Sequence, residues 1–350
     1  MRILVAIPNE YRCLKERFLP TEVIEELEKL GEVIYNPLNR PYTTEELRDA
    51  LVDIDVLFAG WSTVDIDNEV ISKANRLKVI ASATGSVAHI KDEIYEKGII
   101  VLSGNSVFAE SVAEATVCYM MNSLRDNKYF IVRDGFYWRT DERRPQKGLM
   151  DRTVGLVGFG MIAKFVLKML QPFRVKIKVC SEYASEEELA KHGAEKATLD
   201  EIFETCDIVS IHSGLNPNTY HMIDGRLLKK MKDGALLVNT ARGSVIDEKA
   251  LIEELATGRI DAALDVFEEE PPVADSPLRK MDNVTIYPHI AGPTLDRYKY
   301  VSLELIRDIA LWQKGEKNLT SQITLSYSKN MTRGGFKVVE NGKEKVVVGT

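Results

Sequence analysis

The stretch "VGLVGFGMIAKFVLKML", residues 154–170, decides the fold. It reads as an apolar strand, a tight turn and an amphipathic helix. Gly158, Gly160 and Ala163 form a G-x-G-x-x-A pattern across the turn. Gly158 permits the sharp strand-to-helix reversal, Gly160 lets the backbone approach a pyrophosphate, and Ala163 lets the helix lie close on the strand. The helix start, with Met161 and Ile162, offers free N–H groups and the positive end of its dipole to phosphates. The pattern alone is a weak signal. Its place after one strand and before another, "VKIKVC" (175–180), makes it a specific one for dinucleotide binding.

At the end of that second strand an acid should meet the hydroxyls of the adenine ribose, about 20 residues past the glycines. Ser181 stands there and Glu182 comes next. A carboxylate shifted by one position can still serve, while Ser181 would leave room for the 2′-phosphate of NADP. No arginine follows at once, which favours NAD. Lys176 and Lys178 alternate with apolar residues in this strand and point to an incompletely covered face.

Working outward, further strands are expected at 207–212, 235–240, 261–266 and 284–288, with helices at 185–192, 224–231 and 248–258. The first hundred residues alternate in the same way. Strands are expected at 2–7, 54–60, 77–84 and 98–104, with helices at 21–30 and 68–75. Strands alternating with helices predict mostly parallel α/β sheets. A long helical pattern over 108–135 separates the two series. A helix over 296–315 is expected to return to the first. The tail, 336–348, carries two β-prone runs around Asn341-Gly342, a hairpin signal.

In a parallel sheet all strand C-termini share one edge, and ligands bind outside it. Arg242, Glu270 and His289 each follow a different strand, on the edge of the glycine turn. A carbonyl receiving hydride needs a proton, and histidine is suited to give one near neutral pH. Glu270 would orient the imidazole. Arg242 would hold a substrate carboxylate through its planar fork. Taken singly, each is more commonly a polar cap or a surface charge; their convergence makes the case. His212 ends another strand and is expected to meet the cofactor through its backbone. His89, His192 and His221 read as surface or packing residues, and no second His or Cys lies where a metal site would need it.

Composition narrows the field. The 350 residues, 45% hydrophobic and 28% charged, are ordinary for about two globular domains. The net charge of −7 argues against nucleic acid. The four cysteines form no C-x-x-C pair, which disfavours zinc and a disulfide framework. The N-terminal apolar run is too short for a leader or a membrane span. A cytoplasmic location with reduced thiols follows as the expectation.

The motifs "VGLVGFGMIA", "CDIVSIHSGLNPNTYHMI", "MKDGALLVNTARGSVIDEKAL", "AALDVFEEEPP" and "NVTIYPHIAG" resemble, in order and spacing, those of the D-isomer-specific 2-hydroxyacid dehydrogenases. The resemblance covers most of 100–315. It implies a Rossmann-type doubly wound domain plus a second, flavodoxin-like α/β domain. The substrate-binding domain would be discontinuous, from 1–107 and 293–330. The dinucleotide-binding domain would be 108–292, including a dimerisation segment at 108–151. It implies NAD(P)-dependent interconversion of a small 2-keto acid and a (D)-2-hydroxy acid by a homodimer, with Arg242, Glu270 and His289 as the active site. Asp265 would contact the nicotinamide carboxamide, and Thr240 and Ala241 would line the cofactor site. The substrate carboxylate would meet backbone N–H groups at Gly85, Ser86 and Val87, where Ser86 and His89 depart from the family pattern. Trp61 would line the pocket. Alternatives are a nucleotide-sensing corepressor-like scaffold, and a phosphoglycerate-type dehydrogenase, which needs extra basic residues.

Overall fold

The computed structural model describes residues 1–9, 14–126, 146–329, 331–332, 336–340 and 343–347. Two compact units divide the chain: 1–109 with 293–332, and 110–292 with the described part of the tail. The strands of the first unit begin with β1 (Arg2–Val5), β2 (Glu32–Tyr35), β3 (Val56–Ala59), β4 (Val79–Ser82) and β5 (Ile100–Ser103). The helix Asn105–Leu124 carries the chain into the second unit. There follow β6 (Thr153–Val157), β7 (Lys176–Cys180), β8 (Ala194–Lys196), β9 (Ile208–Ile211), β10 (Leu236–Asn239), β11 (Asp261–Leu264) and β12 (Val284–Ile286). The helix Tyr298–Gln313 and β13 (Gln322–Ile323) complete the first unit, and β14 (Phe336–Glu340) and β15 (Lys343–Val347) form the tail.

The first sheet has the order β13-β5-β4-β3-β1-β2. All its pairs are parallel except β13 with β5. Strands β1, β3, β4 and β5 are apolar runs because both of their faces are covered. One face buries Ile3, Val5, Phe58 and Val79 against Val301, Leu305 and Ile309 of the helix Tyr298–Gln313. The other buries Leu4, Leu57 and Ile80 with Leu47 and Ile94.

The second sheet has the order β12-β11-β10-β9-β6-β7-β8, and every pair is parallel. The chain winds outward from β6 to β8, then crosses back to β9. The gap between β6 and β9 is therefore a topological switch point, where a ligand crevice opens. The helix Met161–Leu170 buries Ala163, Val166, Leu167 and Leu170 on one face of the sheet. Ile202, Phe203, Leu251 and Leu255 cover the other, and Val347 of the tail belongs to that same buried cluster. β14 and β15 pair antiparallel, from Phe336 with Val347 to Glu340 with Lys343; the Asn341-Gly342 of the expected hairpin lies outside the described residues.

Some expectations change. Residues 68–75 form turns rather than a helix. The Asp67 carboxylate accepts from the Glu69 and Val70 N–H groups and closes an Asx-type turn instead. The helix expected over 224–231 is shortened to Gly225–Leu228. β2, β8 and the helices Thr44–Ala50 and Leu199–Thr205 were not foreseen. Both of those helices open with a capping box, Thr43 with Glu46 and Thr198 with Glu201, worth about 1 kcal/mol at each N-cap. In β7, Lys176 is exposed and Lys178 donates to Thr205 Oγ1 at 3.1 Å. The helical expectation past 126, and residues 127–145 of the expected dimerisation segment, lie outside the described residues.

Candidate active site

Six parallel strands of the second sheet end on one edge. Gly158, Ser181, His212, Thr240, Asp265 and Tyr287 each follow at once, after β6, β7, β9, β10, β11 and β12.

The glycine turn is built for close approach. Gly158 has φ +101°, and a Cβ there would lie 2.9 Å from the His212 carbonyl carbon and oxygen. Gly160 caps the helix Met161–Leu170 without any side-chain hydrogen bond, and no heavy atom lies within 4 Å of where its Cβ would be. An open space thus lies beside a helix start whose cap residue has no side chain, as close approach of a pyrophosphate requires. Ser181 Oγ accepts from the Tyr183 and Ala184 N–H groups, each at 3.3 Å, so its hydroxyl is committed to the turn. Glu182 beside it is exposed. His212 is buried, with Nε2 2.9 Å from Ser210 Oγ. Burial pushes its pKa down to about 4, which keeps the ring neutral. Its Nδ1 is shielded and has no partner among the described residues. Thr240 Oγ1 meets Thr116 Oγ1 at 2.9 Å, and the Ala241 N–H donates to Asn239 Oδ1.

His289 sits in a left-handed backbone conformation, φ 53°. Asp265, 1% exposed, holds the turn that follows. Its oxygens accept from the Ile290 N–H at 2.9 Å and the Ala291 N–H at 3.1 Å, and its carbonyl accepts from the His289 N–H at 3.0 Å. The Tyr119 hydroxyl donates to Asp265 Oδ1 at 3.3 Å, and its ring stacks on Tyr287. His289 Nδ1 lies 2.6 Å from Glu270 Oε2. With Nδ1 so engaged, Nε2 is the nitrogen left to exchange a proton. The other Glu270 oxygen accepts from the Phe267 N–H at 3.1 Å. Burial pushes the Glu270 carboxyl up. The His289 contact, the Phe267 N–H and the Arg242 charge outweigh it and leave the pKa below the usual carboxylate value.

Arg242 follows Thr240 and Ala241, with Nη1 2.5 Å from the Ala241 carbonyl oxygen. Its Nε is shielded and has no partner among the described residues. Burial pulls the guanidinium pKa down, and Glu270 works against that shift. A shielded, unsatisfied guanidinium N–H costs free energy until an acceptor arrives. An anionic ligand supplies one.

In the first unit, Trp61 follows β3 and is 47% exposed, not buried as a packing Trp would be. Phe18, Phe108 and Tyr298 meet it edge-on at centroid distances of 5.3–5.9 Å. Gly85 lies against the Phe108 ring. Ser86 Oγ donates to the Thr332 carbonyl and accepts from the Ala88 N–H. The Val87 side chain is core, 1% exposed, so only its backbone is on offer there. His89 lies under this loop, 3.3 Å from Ser82 Oγ, and burial drives its pKa down to about 4.

Several supporting residues escaped the sequence reading. Thr116 and Tyr119 stand three residues apart on the helix Asn105–Leu124, which read only as a long helical pattern. His221, read as surface or packing, lies 2.6 Å from Glu268. Glu248 and Glu268 exchange backbone contacts. A polar side chain with a partner far away in the chain leaves no local pattern.

Comparison with known proteins agrees with this geometry. The profile of the D-isomer specific 2-hydroxyacid dehydrogenase NAD-binding domain matches residues 117–291. A glyoxylate reductase of Thermofilum pendens is 36% identical over 308 residues, 86% of this chain and 91% of that protein. A D-3-phosphoglycerate dehydrogenase of Methanocaldococcus jannaschii is 36% identical over 307 residues, 85% of this chain but only 56% of that longer protein. The crystal structure of the PH0520 protein from Pyrococcus horikoshii superposes with a TM-score of 0.75 at 28% identity, over 92% of this chain and 94% of that one. The chain belongs to the D-isomer-specific 2-hydroxyacid dehydrogenases, NAD-dependent oxidoreductases that interconvert 2-keto and 2-hydroxy acids.

Proposed function

We propose that this chain reduces a small 2-keto acid to the (D)-2-hydroxy acid, with Arg242, Glu270 and His289 as its active site. The observation that carries the proposal is the 2.6 Å contact of His289 with Glu270, in the same unit as a shielded Arg242 Nε that lacks a partner. Arg242 binds the substrate carboxylate and draws electron density from the neighbouring carbonyl. His289 gives a proton from Nε2 to the carbonyl oxygen. Glu270 fixes the ring through its contact with Nδ1. The nicotinamide, when bound, supplies the hydride. The N-terminus of the helix Met161–Leu170 with Gly158 and Gly160 would hold the pyrophosphate, and Glu182 the adenine ribose. Ser181 is committed to its own turn, which supports NAD over NADP.

The first unit takes the substrate-binding role, with Trp61 and the backbone of 85–87 against the substrate. The protein works as a homodimer in the cytoplasm. The family resemblance of 108–151 supports the dimer, and the free cysteines Cys118, Cys180 and Cys206 support a reducing compartment. No helix among the described residues is long and apolar enough to cross a membrane.

The test is His289→Gln assayed with glyoxylate, pyruvate, hydroxypyruvate and 3-phosphohydroxypyruvate, each with NADH and NADPH. Loss of general acid catalysis should lower kcat by about 10²–10⁴, with NADH binding, read by fluorescence, unchanged. Undiminished turnover removes His289 from the mechanism. Preference for the phosphorylated substrate would favour the phosphoglycerate-type reading, which the equal identity to that relative keeps in view.

A further inference from the structure

Two loops carry the active-site residues, 242–248 with Arg242 and 265–270 with Glu270. Past the ends of β10 and β11 no sheet ladder joins them. They are joined instead by a polar cluster on which the proposed chemistry makes no demand. The Glu248 N–H donates to Glu268 Oε1 at 3.1 Å, and the Glu268 N–H donates to Glu248 Oε2 at 2.9 Å. A third loop brings in His221, with Nε2 2.6 Å from Glu268 Oε1. His221 is itself held. Its backbone is left-handed, φ 48°, its N–H donates to the Ser244 carbonyl at 2.9 Å, and Tyr220 stacks on its ring at 3.9 Å. On the inner side Gly243 touches the next loop so closely that a Cβ would lie 1.9 Å from the Phe267 carbonyl carbon.

The reciprocal Glu248–Glu268 contact sets two carboxylates side by side in a partly buried spot. Burial, with the charges of Glu268 and Glu269, pushes the Glu248 carboxyl up, against the Glu268 N–H that pulls it down. Like charges here push the two loops apart. The His221 ring, with Nε2 2.6 Å from Glu268 Oε1, is the group placed to offset them.

We propose that His221 is a positioning residue. Through Glu268 it latches the loop that carries Glu270 onto the loop that carries Arg242, and so fixes Glu270 against His289. The inference rests on the proposed roles of those three residues. Ligand-type atoms of His221, Asp247 and Glu268 lie within 4.8 Å of one another, a spacing that a divalent cation also uses. Each of the three already has a protein partner: Asp247 Oδ1 accepts from the Ala250 N–H, and Glu268 joins His221. The latch needs no metal.

The experiment compares the full-length wild type with His221→Leu, His221→Gln and the double variant His221→Leu/Glu248→Gln. It reads keto-acid kinetics and backbone hydrogen exchange over 265–271. In His221→Leu, kcat should fall about tenfold, as expected for small misplacement of catalytic groups, with the KM for NADH unchanged and exchange over 265–271 faster. His221→Gln keeps a donor and should retain most of kcat. Glu248→Gln removes one of the opposed charges and should restore at least half of what His221→Leu loses. Should His221→Leu fail to fold, slower exchange in His221→Gln/Glu248→Gln than in His221→Gln carries the same test. Unchanged exchange and kcat in His221→Leu, or no recovery in the double variant, overturns the latch. So does loss of wild-type turnover on chelation with recovery on adding Mn²⁺ or Zn²⁺. A wild type inactive on every keto acid defeats the proposed function, while the exchange measurement still decides the latch.

Discussion

Asp265 shows what a single buried carboxylate can organise. It follows β11 at once, and its oxygens take the N–H groups of Ile290 and Ala291 and the hydroxyl of Tyr119. Through these bonds it shapes the turn in which His289 adopts φ 53°. Replacement by Asn puts an NH₂ group where one of those donors must be received. The buried mismatch should cost about 1–3 kcal/mol, read as a lower Tm. The His289 turn loosens with it, so kcat falls as well. An Asp265→Asn variant with wild-type Tm and kcat would show that the turn holds itself. The sequence identified Asp265 by its motif. It did not show that these bonds keep this buried carboxylate occupied, because its partners come from helix Asn105–Leu124 and from 25 residues further along the chain.

At the scale of elements, the two loops past β10 and β11 depend on one missing side chain. Gly243 has ordinary backbone angles, so its constraint is space and not conformation. The atom an alanine would strike is the main-chain carbonyl carbon of Phe267. Backbone cannot swing aside as a flexible side chain does. Gly243→Ala should destabilise the second unit by at least about 1–3 kcal/mol and cut kcat, as thermal denaturation and steady-state rates will show. Wild-type stability in that variant would mean that the loops separate without penalty. The strands that carry the site were readable because they are apolar runs ending in polar or glycine residues, as at "ALLVNTARG" and "VTIYPH". β2 and β8 were not. They are short edge strands with exposed positions, Glu32 in one and Glu195 and Lys196 in the other, and no apolar alternation marks them. The turn at 68–73 was misread because Val70 and Ile71 have helical spacing to their neighbours, while the Asp67 side chain captures the local N–H groups.

For the whole molecule, acidity tests both units together. His89 in the first, half-buried, and His212 in the second, buried, are neutral, each with a pKa lowered from 6.5 to about 4. An unfolded chain takes up these protons as the pH falls below about 6.5, and the folded chain resists until about 4. Between those values the folded state binds fewer protons, so stability falls as pH falls. The loss is up to about 3 kcal/mol for each histidine. Denaturant melts between pH 7 and 4 should show this decline. His89→Gln should flatten it for the first unit and leave the second unchanged. An equally steep decline in the variant would locate the acid sensitivity elsewhere.

The winding of the first unit also bears on how the protein is made. β5 pairs with β13, much later in the chain, through Val101 with Ile323 and Leu102 with Gln322. The helix Tyr298–Gln313 that seals one face of that sheet is equally late. A ribosome adds most of these 350 residues before either piece appears. During synthesis the nascent sheet therefore waits with β5 as a naked edge and Phe58 and Val79 uncovered, a state that invites chaperones and rewards slow elongation.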